Sequence, residues 1–290
     1  MKSNINDNVL ILTPAYDGFF KTIKANNRNI ISSSLLKKSD SKYEVDFNDF
    51  EEKCKISKVF VFCSPHNPVG KVWDIEELKK IIDICKKYNV YIISDEIHMD
   101  IVYNKKHIPI FAVSDYDNMV LCTSASKTFN IPALGGSYLF IKDENDRNEF
   151  LKILKERDAL SSASILGIIA TITAYNKCDY WVDELLKYTS NNIKYIIDYL
   201  NKNIPMLRCD MPDGAYFAWV DFSKLNVSEE VFQKYLIEIG KVAIMTGSTY
   251  GEEGKTFLRI NCACSINKIK DCMNRISKTI EYMKSNNIIK

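Results

Sequence analysis

Residues 58–70 read K-V-F-V-F-C-S-P-H-N-P-V-G. The first six form an unbroken β-rich run, the pattern of a strand buried on both faces, which belongs to a parallel sheet. The next seven hold two prolines and a glycine, a turn that stops the strand. Asp74 then predicts a helix N-cap, with Glu77 three residues on as its capping-box partner. Leu78, Ile81, Ile82 and Cys85 supply that helix's apolar stripe. Residues 90–94 (VYIIS) form a second buried strand and end at Asp95. Strand, helix and strand at this spacing predict a right-handed crossover.

The same reading extends outward. Residues 9–12 predict a strand stopped at Thr13-Pro14, 17–25 a helix, and 119–123 and 136–141 two more strands. In parallel sheets ligands gather beyond the carboxyl ends of strands, so Asn67, Asp95 and Ser124 fall on one edge. The second half changes character. It predicts helices over 146–157, 161–175 and 179–200, then strands over 215–221, 241–245 and 256–261 with helices over 228–239 and 266–283. The fold class is therefore α/β: a mostly parallel sheet flanked by helices, with a smaller C-terminal α+β domain. The division is 1–177 and 178–290, joined by the long helix from 179.

Composition narrows the function. Hydrophobic residues are 46% and charged residues 26% of 290, enough for a core without disulfide staples. Thirty-nine basic against 37 acidic residues leave a net charge of +2, which provides no field for nucleic acid or an anionic membrane. No apolar run approaches the ~18 residues of a membrane helix. Asn4, Asn6, Asp7 and Asn8 interrupt any signal-peptide apolar region. Nine cysteines without a C-x-x-C pair and three dispersed histidines predict no metal site, and fit reduced thiols in a cytoplasmic protein.

The chemistry-bearing stretch is T-S-A-S-K-T-F-N at 123–130. A lysine among small and apolar neighbours at the ligand edge is expected to be desolvated, which makes its amine nucleophilic. The S-x-x-K spacing of Ser124 and Lys127 also occurs around serine nucleophiles, but their companion S-D-N and K-T-G motifs are absent. Arg259, inside the apolar stretch F-L-R-I-N, needs either an internal acidic partner or a bound carboxylate.

Several motifs occur in order: T-P-A-Y-D-G-F-F at 13–20, S-P-H-N-P-V-G-K-V-W at 64–73, S-D-E-I-H-M-D at 94–100, S-K-T-F-N-I-P-A-L at 126–134 and V-A-I-M-T-G-S-T-Y-G-E-E-G at 242–254. Together they resemble the fold-type I pyridoxal-phosphate (PLP) enzymes of the class I/II aminotransferase superfamily, most closely the MalY/PatB-type cystathionine β-lyase branch. The resemblance implies PLP as cofactor, a small amino-acid substrate and a homodimer. It implies that Lys127 binds the cofactor aldehyde covalently and then takes the substrate Cα proton. Asp95 would pair with the pyridine nitrogen, and Asn67 with the phenolic oxygen and the substrate carboxylate. Tyr16 would stack on the ring unless it is a core tyrosine. His98 would touch the phenolic oxygen or be structural, and Ser124 and Ser126 would hold the phosphate or simply shape the turn. Arg259 would grip the substrate α-carboxylate through a bidentate fork.

Two departures stand out. Gly135 replaces the phosphate-gripping arginine of common aminotransferases, which agrees with the lyase branch. The resemblance also begins where the family is already under way, without its N-terminal arm and first phosphate-cradling helix. Three readings follow: a C–S β-lyase releasing thiol, pyruvate and ammonia; an aminotransferase using the same Lys127 and Asp95; or an inactive or regulatory fragment of such an enzyme.

Overall fold

The computed structural model describes residues 2–38, 42–160 and 163–289. Its larger sheet has six strands in the order β2-β1-β5-β6-β7-β8. These are β1 (Asn8–Thr13), β2 (Asn29–Ser34), β5 (Val59–Cys63), β6 (Tyr91–Asp95), β7 (Met119–Thr123) and β8 (Tyr138–Ile141). The pairings are parallel except β8, which runs antiparallel to β7. Between them lie α1 (Asp17–Ala25), a short hairpin of β3 (Leu36–Lys37) and β4 (Tyr43–Glu44), α2 (Phe47–Lys55) and α3 (Ile75–Lys87). The expected capping box is present: Asp74 accepts from the Glu77 amide at 2.9 Å, and Glu77 accepts from the Asp74 amide at 3.1 Å.

Period-2 alternation divides the sheet into two faces. Leu10, Leu12, Phe60, Phe62, Ile92 and Leu121 pack under α2 and α3. Val9, Ile11, Val59, Tyr91 and Val120 face the other way, where α1 contributes Phe19, Phe20 and Ile23.

The chain continues through α4 (Glu144–Lys152), a π-helical turn (Ile153–Arg157), α5 (Ile165–Lys177) and the 25-residue α6 (Asp179–Asn203). A second core follows. It is built on antiparallel β9 (Phe217–Asp221) and β10 (Phe257–Asn261), with α6, α7 (Glu229–Glu238) and α8 (Ile266–Ser285) packed against them. The β3–β4 hairpin ties the two parts together through a Lys37–Asp221 ion pair and a hydrogen bond from Trp219 to the Tyr43 hydroxyl.

Several expectations need correction. Residues 241–245 are not a strand. Lys241 sits at φ +55, the Val242 amide donates to Leu236 O, and the Gln233 side chain donates to Ile244 O, so the backbone is engaged by α7 instead of a sheet. The helix expected over 161–175 begins at Ile165, capped by Ser164; its expected start, Ser161, lies outside the described residues. β2 and α2 were not anticipated. β2 reads NIISSS, too polar to signal a strand, and α2 carries its buried contacts on Phe50 and Cys54 alone.

Candidate active site

Tyr91, Ile93 and Asp95 lie on one row of β6, so the pleat that points Ile93 to the α1 face also delivers Asp95 there. A cavity of about 460 Å³ opens at that point, lined by Tyr16, Val61, Ile93, Asp95, Ile97 and Ser124 among others. Larger cavities of about 710 and 640 Å³ flank β8 and the rest of the sheet face, and none of the sequence-selected residues lines them. Asp95 Oδ1 accepts from the Ile97 amide at 3.2 Å. Burial pushes its carboxyl up to about 6, against the help of the Ile97 amide; Glu96 adds to the rise and Lys127 opposes it.

Lys127 and Asp95 therefore share one electrostatic neighbourhood. Lys127 itself is exposed, while Ala125 and Thr128 beside it are buried. The expected desolvation of this lysine is thus absent in the protein alone. The turn buries Ala125 and Thr128 and leaves the long lysine side chain exposed.

His98 is buried, with Nδ1 lacking any partner. Tyr216 and Phe217 meet its ring edge-on, both at 5.6 Å between centroids. Burial, helped by the positive charges of Lys127 and Arg259, lowers its pKa to about 3, so it is neutral at ordinary pH.

Arg259 lies on β10. Its Nη1 donates to Asn67 Oδ1 at 2.9 Å, and its guanidinium lies over the rings of Phe217 (4.4 Å) and Tyr250 (4.8 Å). Among the described residues no carboxylate pairs with it, so the internal salt bridge that sequence left open is absent and Asn67 takes up only one edge of the fork. Tyr16 is 40% exposed with an edge-on contact to Phe19, which excludes a core tyrosine. The Ser124 hydroxyl donates to Gly136 O at 2.6 Å and accepts from the Ser126 amide at 3.1 Å. It therefore shapes the lysine turn, and Ser126 lies next to it in the same turn.

Sequence reasoning missed Ile97, Tyr250 and Phe217. Ile97 lies two residues past Asp95 on the same loop. Tyr250 sits within G-S-T-Y-G, where the flanking glycines mark a tight backbone that presents a ring. Nothing local marks Phe217, since it reads as one apolar strand residue among others.

The Aminotransferase class I and II family model matches residues 1–276. The chain belongs to that family. It is 43% identical to protein MalY of Escherichia coli over 274 residues, covering 92% of this chain and 69% of MalY. It is 35% identical to cystathionine beta-lyase PatB of Bacillus subtilis over 279 residues, covering 94% of this chain and 72% of PatB. The crystal structure of cystalysin from Treponema denticola, which contains pyridoxal 5′-phosphate, superposes with a TM-score of 0.92 at 33% identity. That match covers 96% of this chain and 72% of cystalysin.

Proposed function

We propose that this chain is a PLP-dependent C–S β-lyase that cleaves cystathionine or a related cysteine S-conjugate to a thiol, pyruvate and ammonia. The observation that carries the reading is Arg259: a guanidinium whose charge reaches His98 together with that of Lys127, steered by Asn67 and two rings, and with no acidic partner among the described residues. A partly buried guanidinium without an acidic partner is well placed to take a bound carboxylate as its counter-charge. Its similarity to MalY, PatB and cystalysin supports the lyase branch.

The residues fit PLP. Asp95 is a half-buried carboxyl with one backbone hydrogen bond, His98 carries an unpartnered buried nitrogen, Tyr16 lines the cavity with its ring, and Lys127 offers an exposed amine. When bound, PLP supplies an aldehyde that captures amines and a ring that accepts carbanion charge. Asp95 holds a proton at the ring nitrogen. Arg259 binds the substrate α-carboxylate with its remaining edge, and Asn67 fixes the guanidinium plane. Lys127 takes the proton from Cα, which lets the thiolate depart from Cβ. His98, kept neutral, presents a polar nitrogen without adding a third positive charge between Lys127 and Arg259.

The reading includes two units, 1–177 and 178–290, and the separate C-terminal core supports that boundary. It includes a homodimer, supported by the exposed apolar residues Ile165, Leu166, Ile168, Ile169 and Ile172 of α5. It also includes a cytoplasmic location, for which the nine unpaired cysteines speak. No helix among the described residues is long and apolar enough to cross a membrane.

The open groove of about 640 Å³ on the sheet face beside the cofactor cavity favours a second reading, an inactive or regulatory protein with weak cofactor retention. One experiment separates these. The purified chain is mixed with PLP and cystathionine, and pyruvate is measured without any keto acid, beside Lys127→Ala. Visible absorbance with pyruvate release, falling on the order of 10⁴-fold in the variant, is expected for the lyase. Turnover that requires a keto acid makes it an aminotransferase. A colourless, inactive protein supports the regulatory reading.

A further inference from the structure

Lys127, the residue given the covalent role, has an exposed side chain, and Thr128 beside it is fully buried. The Thr128 hydroxyl donates to Asp100 Oδ2 at 2.8 Å. The Tyr175 hydroxyl from α5 donates to the same oxygen at 3.0 Å, and Tyr138 of β8 donates to Tyr175 at 3.3 Å. From the start of α6, the Trp181 indole donates to Thr128 O at 2.9 Å. Phe129 packs edge-on against Tyr175, with centroids 5.1 Å apart.

Asp100 belongs to the turn that carries Asp95 and His98, closed by hydrogen bonds from Met99 to Glu96 O and from Ile101 to His98 O. Thr128 belongs to the turn that carries Lys127, closed by Phe129 to Ala125 O and Ile131 to Ser126 O. The Thr128–Asp100 bond is therefore a direct strap between the two loops that form the site. Asp100 has no cationic partner among the described residues. A carboxylate is an acceptor only, and among the described residues it accepts from these two hydroxyls.

We propose that Asp100 and Thr128, backed by Tyr175, are positioning residues: they fix the base of the Lys127 side chain at a set reach from Asp95, so that a flexible exposed amine meets the PLP aldehyde in register. This rests on the functional reading above. The bond formed is between Lys127 Nζ and the aldehyde carbon, with release of water. The strap does not touch the reacting atoms and acts only through the lysine turn.

The test uses Thr128→Val, which keeps the shape and removes the hydroxyl, and Thr128→Ser, which restores it. Two quantities are read. One is hydrogen exchange at the Phe129 and Ile131 amides in the protein without PLP. The other is the rate at which PLP becomes trapped on Lys127 by borohydride, followed by mass spectrometry. Loss of a part-buried hydroxyl–carboxylate bond predicts about tenfold faster exchange and about tenfold slower capture in Thr128→Val, with Thr128→Ser returning both toward wild type. Either readout unchanged in Thr128→Val overturns the proposal. If wild type itself traps no PLP, the functional reading fails, and the exchange arm alone still decides the strap. If Thr128→Val does not fold, Tyr175→Phe takes its place: it removes the second donor to Asp100 and must loosen the same amides, or the strap is refuted.

Discussion

The two faces of the central sheet are built from neighbouring residues of the same strands, yet they do different work. On one face Phe60, Phe62 and Ile92 are sealed under α2 and α3. On the other, Val61, Ile93 and Cys122 border open cavities beside α1, and Asp95 extends their row. The sealed face holds the sheet together. The open face carries the charges and the space that chemistry needs, at a cost in stability. Ile92 and Ile93 give the sharpest contrast, being the same side chain one residue apart on opposite faces.

The largest effect belongs to the sealed face. Ile92 is fully buried beneath α3, so Ile92→Ala leaves a cavity that the packed helices cannot refill. Unfolding by urea should show a loss of about 4 kcal/mol. A loss below about 1 kcal/mol would mean that the two faces are energetically alike and the contrast is empty.

On the functional side the next effect is at Arg259. Lysine there keeps the charge but loses the planar fork and the bond to Asn67 Oδ1. Arg259→Lys should lower kcat/KM for an amino-acid substrate by roughly 10- to 100-fold, chiefly through KM, with Tm little changed. A fall in kcat alone, with KM intact, would place Arg259 outside the carboxylate site.

How far these residues could be read in advance follows from how local their signals are. β5, β6 and β7 are dense apolar runs, and each ends where a polar residue begins, so Asn67, Asp95 and Ser124 were legible from pattern alone. The capping box of α3 was equally local. The Arg259–Asn67 bond spans 192 residues, and no spacing rule reaches that far. Lys127 shows a different limit. In a tight turn, adjacent side chains diverge, and composition cannot say which of Lys127 and Thr128 is buried. β2 escaped notice because its serines pair with β1 through the backbone, which any side chain permits.

Asp95 tests the idea that the open face is strained for function. Its folded pKa of about 6 lies above the ordinary carboxylate value, so in the window between roughly 4 and 6 the folded state holds a proton that the unfolded state has lost. Its contribution to stability therefore falls as pH rises through that window. His98 works in the opposite sense, since its depressed pKa destabilises the fold as pH drops below the ordinary histidine value. Asp95→Asn should stabilise the cofactor-free protein at pH 8 by about 2 kcal/mol and weaken PLP binding at the same time. A variant that is no more stable than wild type at pH 8 would remove the strain from the account.

The smallest effect closes the comparison. Ile93 borders both open cavities, so truncating it removes little packing and creates no enclosed void. Ile93→Ala should cost about 1 kcal/mol in the same urea experiment, set by the partial area it loses from contact. Strand propensity changes identically at positions 92 and 93, because both substitutions replace isoleucine by alanine in β6. The difference between the two variants therefore isolates burial from backbone preference. If Ile93→Ala proves as costly as Ile92→Ala, the face beside Asp95 is covered in solution, and the cavities that border it are closed by something that packs there as tightly as α3 packs on the other side.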